Sequence, residues 1–234
     1  MTVRRLTLMV DDPASDHVAA AVHRPPRATQ GRGHRSVLLA PGAGGDLDGD
    51  GLTALASTLA ARGCTVVRAN LPYRQAGRRA PRADRSVPGY LAVLAAAQDA
   101  LGQRDAPWIV GGKSYGGRVA TLAVAQGLSA AGVLLYGYPL HPPGSPDKLR
   151  VDHWPHLFAP ALFLQGDRDP FCDLQLLDEH RHKLPRRATV HVVEGGDHSL
   201  RVTRAASPTG AASSEAATLN GLGDVLEDWL RRLD

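Results

Sequence analysis

The chain has few of the residues that announce a special environment. Cysteine occurs twice in 234 residues, at Cys64 and Cys172. That separation matches neither a redox CxxC pair nor a zinc ligand set, and it predicts two reduced thiols rather than a disulfide framework. No long apolar run opens the chain. MTVRRLTLMVDD reaches two aspartates after a short hydrophobic stretch, too brief for a signal-peptide core or a membrane span. A cytoplasmic location is therefore expected, with no membrane partner. The excess of one charge over the other is also small: the net value of +4 does not call for nucleic acid. The densest positive run, AGRRAPRADR at 76–85, has no interleaved aromatic for base stacking and contains Gly and Pro. It predicts a solvated loop, with an acidic substrate or partner as the alternative. Histidines gather in DHWPH (152–156) and HRH (180–182), but neither group makes a three-ligand constellation, so no metal is expected.

What the chain does have is the makings of one packed core, with 43% hydrophobic and 21% charged residues and neither a repeat nor a linker; a single domain over 1–234 is expected. RLTLMV (5–10) and HVAAAVH (17–23) flank an Asp-Asp-Pro turn region and read as an antiparallel hairpin. Six further runs follow: SVLLA (36–40), TVVRA (65–69), WIVG (108–111), GVLLYG (132–137), ALFLQG (161–166) and TVHVVEG (189–195). Nearly all apolar, they read as parallel strands buried on both faces. Leu52, Leu55, Ala56 and Leu59, and then Tyr90, Leu94, Ala97 and Leu101, keep helical spacing between them. Val119, Leu122 and Ala123 mark another helix, and Leu219, Leu222, Leu226, Trp229, Leu230 and Leu233 predict one terminal helix. The Ala-, Ser- and Thr-rich segment 201–218 reads as a mobile loop. The fold class is thus α/β, a mostly parallel sheet of about eight strands with helices on both faces and no room for a large cap.

VGGKSYGG (110–117) overlays two chemical signatures. A phosphate loop needs a glycine five residues before its Gly-Lys-Ser, so that successive amides wrap the phosphates. Here that position is Pro107, ahead of a strand, and the reading fails. Gly112-x-Ser114-x-Gly116 instead sits between a strand and the helical run RVATLAVAQ. It reads as a nucleophile elbow, whose tight turn needs small neighbours.

A serine hydroxyl requires a base within hydrogen-bond reach and a carboxylate to orient that base. GDRDPF after the seventh strand offers Asp167 and Asp169, and GDHSL after the eighth offers His198. Asp169 is preferred, because three residues past the glycine it can turn back towards the histidine; Asp167 fits a turn-shaping role. Asp173 and Asp197 are weaker acids, adequately explained as a helix N-cap and a turn former. An oxyanion would take one N–H from Tyr115, directly after the serine, and another from the glycine-rich loop APGAGGD (40–46), with Ala43 first and Gly44 next. The segment 138–156, leaving the sixth strand at the expected mouth, predicts Tyr138, Pro139 and Leu140 as pocket residues.

With GGKSYGGR, NLPYRQAGRRAP, GYPLHPPG, QGDRDPF and GDHSL in place, the chain resembles the α/β-hydrolase superfamily from about residue 35 onward. More narrowly it resembles the small, capless, dienelactone-hydrolase-like branch, in a group that also holds relatives of a subunit of the NSL histone-acetyltransferase complex. The resemblance implies a serine hydrolase of the carboxylesterase type acting on a small-molecule acyl substrate, with no metal or organic cofactor. Two departures matter. Dienelactone hydrolases carry a cysteine nucleophile where this chain has Ser114, and many relatives have His-Gly where it has Pro41-Gly42. The chromatin relative supplies the alternative: a non-catalytic interaction scaffold that keeps the fold.

Overall fold

The computed structural model describes residues 2–29, 35–104 and 106–233. Its frame is an eight-stranded sheet: β1 (Thr2–Met9), β2 (His17–Arg24), β3 (Ser36–Ala40), β4 (Thr65–Ala69), β5 (Ile109–Lys113), β6 (Gly132–Tyr136), β7 (Ala161–Gly166) and β8 (Ala188–Val193). In space the order is β1-β2-β4-β3-β5-β6-β7-β8. β1 and β2 form the expected hairpin, β2 lies antiparallel to β4, and β3 to β8 run parallel. β8 departs from the expectation of burial on both faces: most of it is half-exposed, because it is the outer strand of the sheet.

The central strands separate two apolar clusters by simple alternation. On β3, Leu38 and Ala40 face one side and Val37 and Leu39 the other. Helices α3 (Val87–Leu101) and α4 (Tyr115–Ala125) cover the first side with Tyr90, Leu94 and Val119. Helix α1 (Asp50–Ala61) covers the second with Leu55 and Leu59. A one-turn α2 (Pro72–Gln75) lies between α1 and α3, and α5 (Leu174–His180) follows β7. The expected single terminal helix is two: α6 (Glu215–Gly221) and α7 (Gly223–Arg231) part at Leu222, whose φ −82 and ψ 16 leave the helical region. The break lets Leu219 and Trp229 both reach the second cluster. Segment 201–218 likewise differs from a plain loop, since Val202 bridges to Gly196 and Ser213 and α6 begins at Glu215.

This strand order positions the site. The chain leaves β3 for α1 on one face and β5 for α4 on the other, and β3 and β5 are neighbours. Their loops therefore diverge at the carboxyl edge and leave a crevice between them, the usual place for a ligand in an open α/β sheet. No helix among the described residues is long and apolar enough to cross a membrane.

Candidate active site

The turn from β5 into α4 folds as small residues demand. A Cβ on Gly112, which has φ +145, would strike the backbone of Ala40; one on Gly116 would strike the carbonyls of Ala40 and Pro41. Their absence lets the turn press onto the end of β3. Ser114 takes φ 48, ψ −111, an unfavourable conformation for a residue with a side chain. It is held there from both sides: its N–H donates to the Tyr136 carbonyl at 2.9 Å, and its carbonyl accepts from Arg118 N–H at 3.0 Å as α4 begins.

Two later loops meet it. His198 Nε2 lies 2.9 Å from Ser114 Oγ, and His198 Nδ1 lies 2.8 Å from Asp169 Oδ2. A carboxylate only accepts, so Nδ1 carries the proton and Nε2 is left to accept from the serine hydroxyl. The Asp169 side chain is fully buried. Gln165 Nε2 donates to its Oδ2 at 2.6 Å and Phe171 N–H to its Oδ1 at 2.8 Å, so its orientation is fixed. Phe171 also stacks on the imidazole, ring centroids 4.3 Å apart. Sequence reasoning missed Gln165; the only local signal was a polar residue inside an apolar strand. The other carboxylates do what their positions suggested: Asp167 Oδ1 accepts from Gly195 N–H, Asp173 caps α5, and Asp197 accepts from the amides of Ser199 and Arg201.

A cavity of about 320 Å³ opens onto Ser114 and His198, walled by residues 41–46 together with Leu52, Lys113 and Glu215. Ala43 and Gly44 line the same cavity as the Ser114 hydroxyl, and Tyr115, as the first residue of α4, has its N–H outside the i→i−4 ladder. The glycine loop is tied down. Tyr73 hydroxyl donates to the Ala43 carbonyl at 3.2 Å, and buried Arg68 donates to the Leu47 carbonyl and to Thr53 Oγ1. Arg68 Nε also donates to His23, whose pKa is lowered to about 4 by burial and then by the Arg68 charge.

Tyr138, Pro139 and Leu140 are not in the cavity wall. All three are buried, and Tyr138 packs with Trp154 and Phe163 in the core, its hydroxyl donating to the Arg150 carbonyl. The expectation that they form the pocket is corrected: large apolar side chains at the sheet edge turned inward. The Arg-rich 76–85 run is mostly exposed and touches the site indirectly, through Pro81, whose carbonyl accepts from Tyr115 hydroxyl. His153 and His180, from the two histidine groups, bond to Thr121 Oγ1 and the Leu176 carbonyl. Burial pushes the Cys64 thiol up to about 12 and raises Cys172 as well, which leaves neither thiol poised as a nucleophile.

Residues 33–220 match the model of the alpha/beta hydrolase domain. Among solved structures, a lidless α/β serine hydrolase from Xanthomonas campestris is 21% identical, with 98% of this chain and 94% of that one covered at a TM-score of 0.70. The esterase domain of a Rhodothermus marinus protein is 15% identical over 99% of each chain, at 0.69. A dienelactone hydrolase from Anabaena variabilis is 15% identical over 99% of this chain and 97% of its own, also at 0.69. At such identities the likeness concerns the fold.

Proposed function

This chain belongs to the α/β-hydrolase domain family, and from that premise we propose that it is a serine hydrolase of the carboxylesterase type, working as a single domain on a small acyl ester in the cytoplasm. The observation that carries the reading is the continuous line from Ser114 Oγ through His198 to buried Asp169, at 2.9 and 2.8 Å.

His198 Nε2 takes the Ser114 proton as Oγ attacks the acyl carbonyl, and Asp169 holds the imidazole and stabilises its charged form. The oxyanion of the tetrahedral intermediate is taken by the N–H of Tyr115 and of Ala43, or Gly44 beside it. His198 then gives its proton to the leaving alcohol, and the C–O bond to the alcohol breaks. Water, deprotonated by the same imidazole, releases the acid and restores Ser114. Side chains and amides supply nucleophile, base and charge stabilisation, so the cycle calls on no metal or organic cofactor. Cys64 and Cys172, buried and unbridged, suit a reducing compartment.

The test is covalent labelling with a fluorophosphonate. Wild type is expected to label at Ser114 and Ser114→Ala is expected not to. Folded wild type that stays unlabelled at neutral pH would favour the non-catalytic scaffold, the reading tied to the chromatin-complex relative.

A further inference from the structure

The lysine that made the elbow look like a phosphate loop has another place in the molecule. Lys113 projects into the cavity immediately beside Ser114 and pairs with Glu215 at 2.6 Å, while also donating to Ser199 Oγ at 2.9 Å. The partners come from the chain stretch after His198 and from the first residue of α6, and the two charged side chains keep 24% and 19% of their exposure. An ammonium has three donors and a carboxylate two oxygens. With those contacts made, one N–H of Lys113 and Oε2 of Glu215 have no partner among the described residues.

The recess is built to hold this pair. Gly51, in the first turn of α1, leaves room that a Cβ would fill: such an atom would lie 2.5 Å from the Glu215 carboxyl carbon and 2.5 Å from the Tyr136 hydroxyl, which therefore lie within about 5 Å of each other. That hydroxyl is buried and has no hydrogen-bond partner among the described residues, an expensive state unless something else completes it. Lys113 Nζ also stands 5.3 Å from the centre of the same tyrosine ring. One end of a cavity otherwise walled mostly by Gly, Ala, Pro and Leu, with Asp46, itself paired to Arg74, among them, thus gathers a paired cation and anion with hydrogen-bonding capacity to spare.

We propose that the Lys113–Glu215 recess selects the acyl group, favouring one that ends in a neutral hydrogen-bonding group, a hydroxyl or carboxamide, over a hydrocarbon chain or a charged one. This rests on the esterase reading above and names its substrate class. A hydrocarbon chain entering the cavity strips the remaining water from the ion pair and returns nothing to it. A carboxylate would meet Lys113 but also Glu215, and an ammonium the reverse. A hydroxyl or a carboxamide accepts from Lys113 and donates to Glu215 at once. Sites that hydrogen-bond a substrate group discriminate against analogues lacking it far more strongly than apolar pockets discriminate by size.

The experiment holds the alcohol constant and varies the acid. Ethyl butanoate, ethyl 3-hydroxybutanoate, ethyl succinamate, monoethyl succinate and ethyl 3-aminopropanoate are followed by acid release. Each kcat/KM is divided by the same protein's value on ethyl acetate, so that loss of folded protein cancels. In wild type the hydroxyl and amide esters are expected to exceed ethyl butanoate by about tenfold or more, the equivalent of one well-made hydrogen bond. Glu215→Gln should raise the ratio for monoethyl succinate about tenfold, and Lys113→Gln that for ethyl 3-aminopropanoate. A purely structural strap would move all five esters together; that result, or a wild type that prefers ethyl butanoate, overturns the proposal. A protein that labels with fluorophosphonate and cleaves ethyl acetate without this pattern loses only this inference. One that does not label loses the esterase reading and the inference together.

Discussion

The turn at Ser114 and the segment 138–156 leave adjacent strands, β5 and β6, at the same edge of the sheet, yet they have opposite fates. The first is a run of glycines around one exposed-edge hydroxyl; it stays at the rim and presents Ser114 to His198. The second carries Tyr138, Leu140, Val151, Trp154 and Leu157, each at most 2% exposed. Burying a large apolar side chain contributes about 1.5–3 kcal/mol, so these side chains fold down onto α4 and the sheet instead of walling the cavity at Ser114. Position at the carboxyl edge makes a segment eligible for the site. Its side chains decide whether it serves chemistry or packing.

The largest expected effect tests the chemical half of that contrast. His198→Ala should lower kcat/KM by at least ~10³-fold, measured by ester hydrolysis on protein that a melting curve shows to be folded. An unchanged rate would remove the assigned base. Next comes the packing half. Trp154→Ala, which empties the space beside the Tyr138–Phe163 pair, should cost about 3–5 kcal/mol in denaturant unfolding while shifting KM less than about threefold. A tenfold rise in KM without loss of stability would return the segment to the pocket and break the comparison.

The smallest effect concerns His153, in the same segment. Its pKa is lowered to about 4, first by burial and then by the nearby Arg118 charge. The unfolded chain, with a histidine pKa near 6.5, binds a proton that the folded one refuses. The stabilisation from the neutral ring is therefore complete above about pH 6.5 and is lost as pH falls towards 4. His153→Gln should flatten the stability profile across that window by roughly 1–2 kcal/mol, read from urea midpoints at several pH values. A profile parallel to wild type would mean the ring titrates normally.

Much of this was legible because the signals were local. β3, β4 and β7 begin and end where their apolar runs do, and the elbow's glycines, the Asp-then-His order, the turn-forming duties of Asp167 and Asp197 and the capping duty of Asp173 follow from a few neighbouring residues each. The missed features depend on the whole fold. The split at Leu222 comes from docking Leu219 and Trp229 on one curved surface, which the uninterrupted periodicity of leucines conceals. The half-exposure of β8 follows from its outer place in the sheet, not from its composition. Lys113 and Glu215 are separated by 102 positions, and nothing near either one announces the other. Tyr138 and Leu140 misled because the sequence marks them as apolar without saying which side of the backbone has room.

The backbone at Ser114 has a consequence for anyone who would redesign this molecule. With the residue parked at φ 48 and wedged between the ends of two strands, the hydroxyl's aim depends on register: a nucleophile moved to 113 would enter the charged recess, and one moved to 115 would lie along the helix flank. Replacing Ser114 by glycine should relax the kink and make a sturdier but idle protein. Thermostability campaigns that accept every gain would drift towards that change, so activity has to be screened alongside melting.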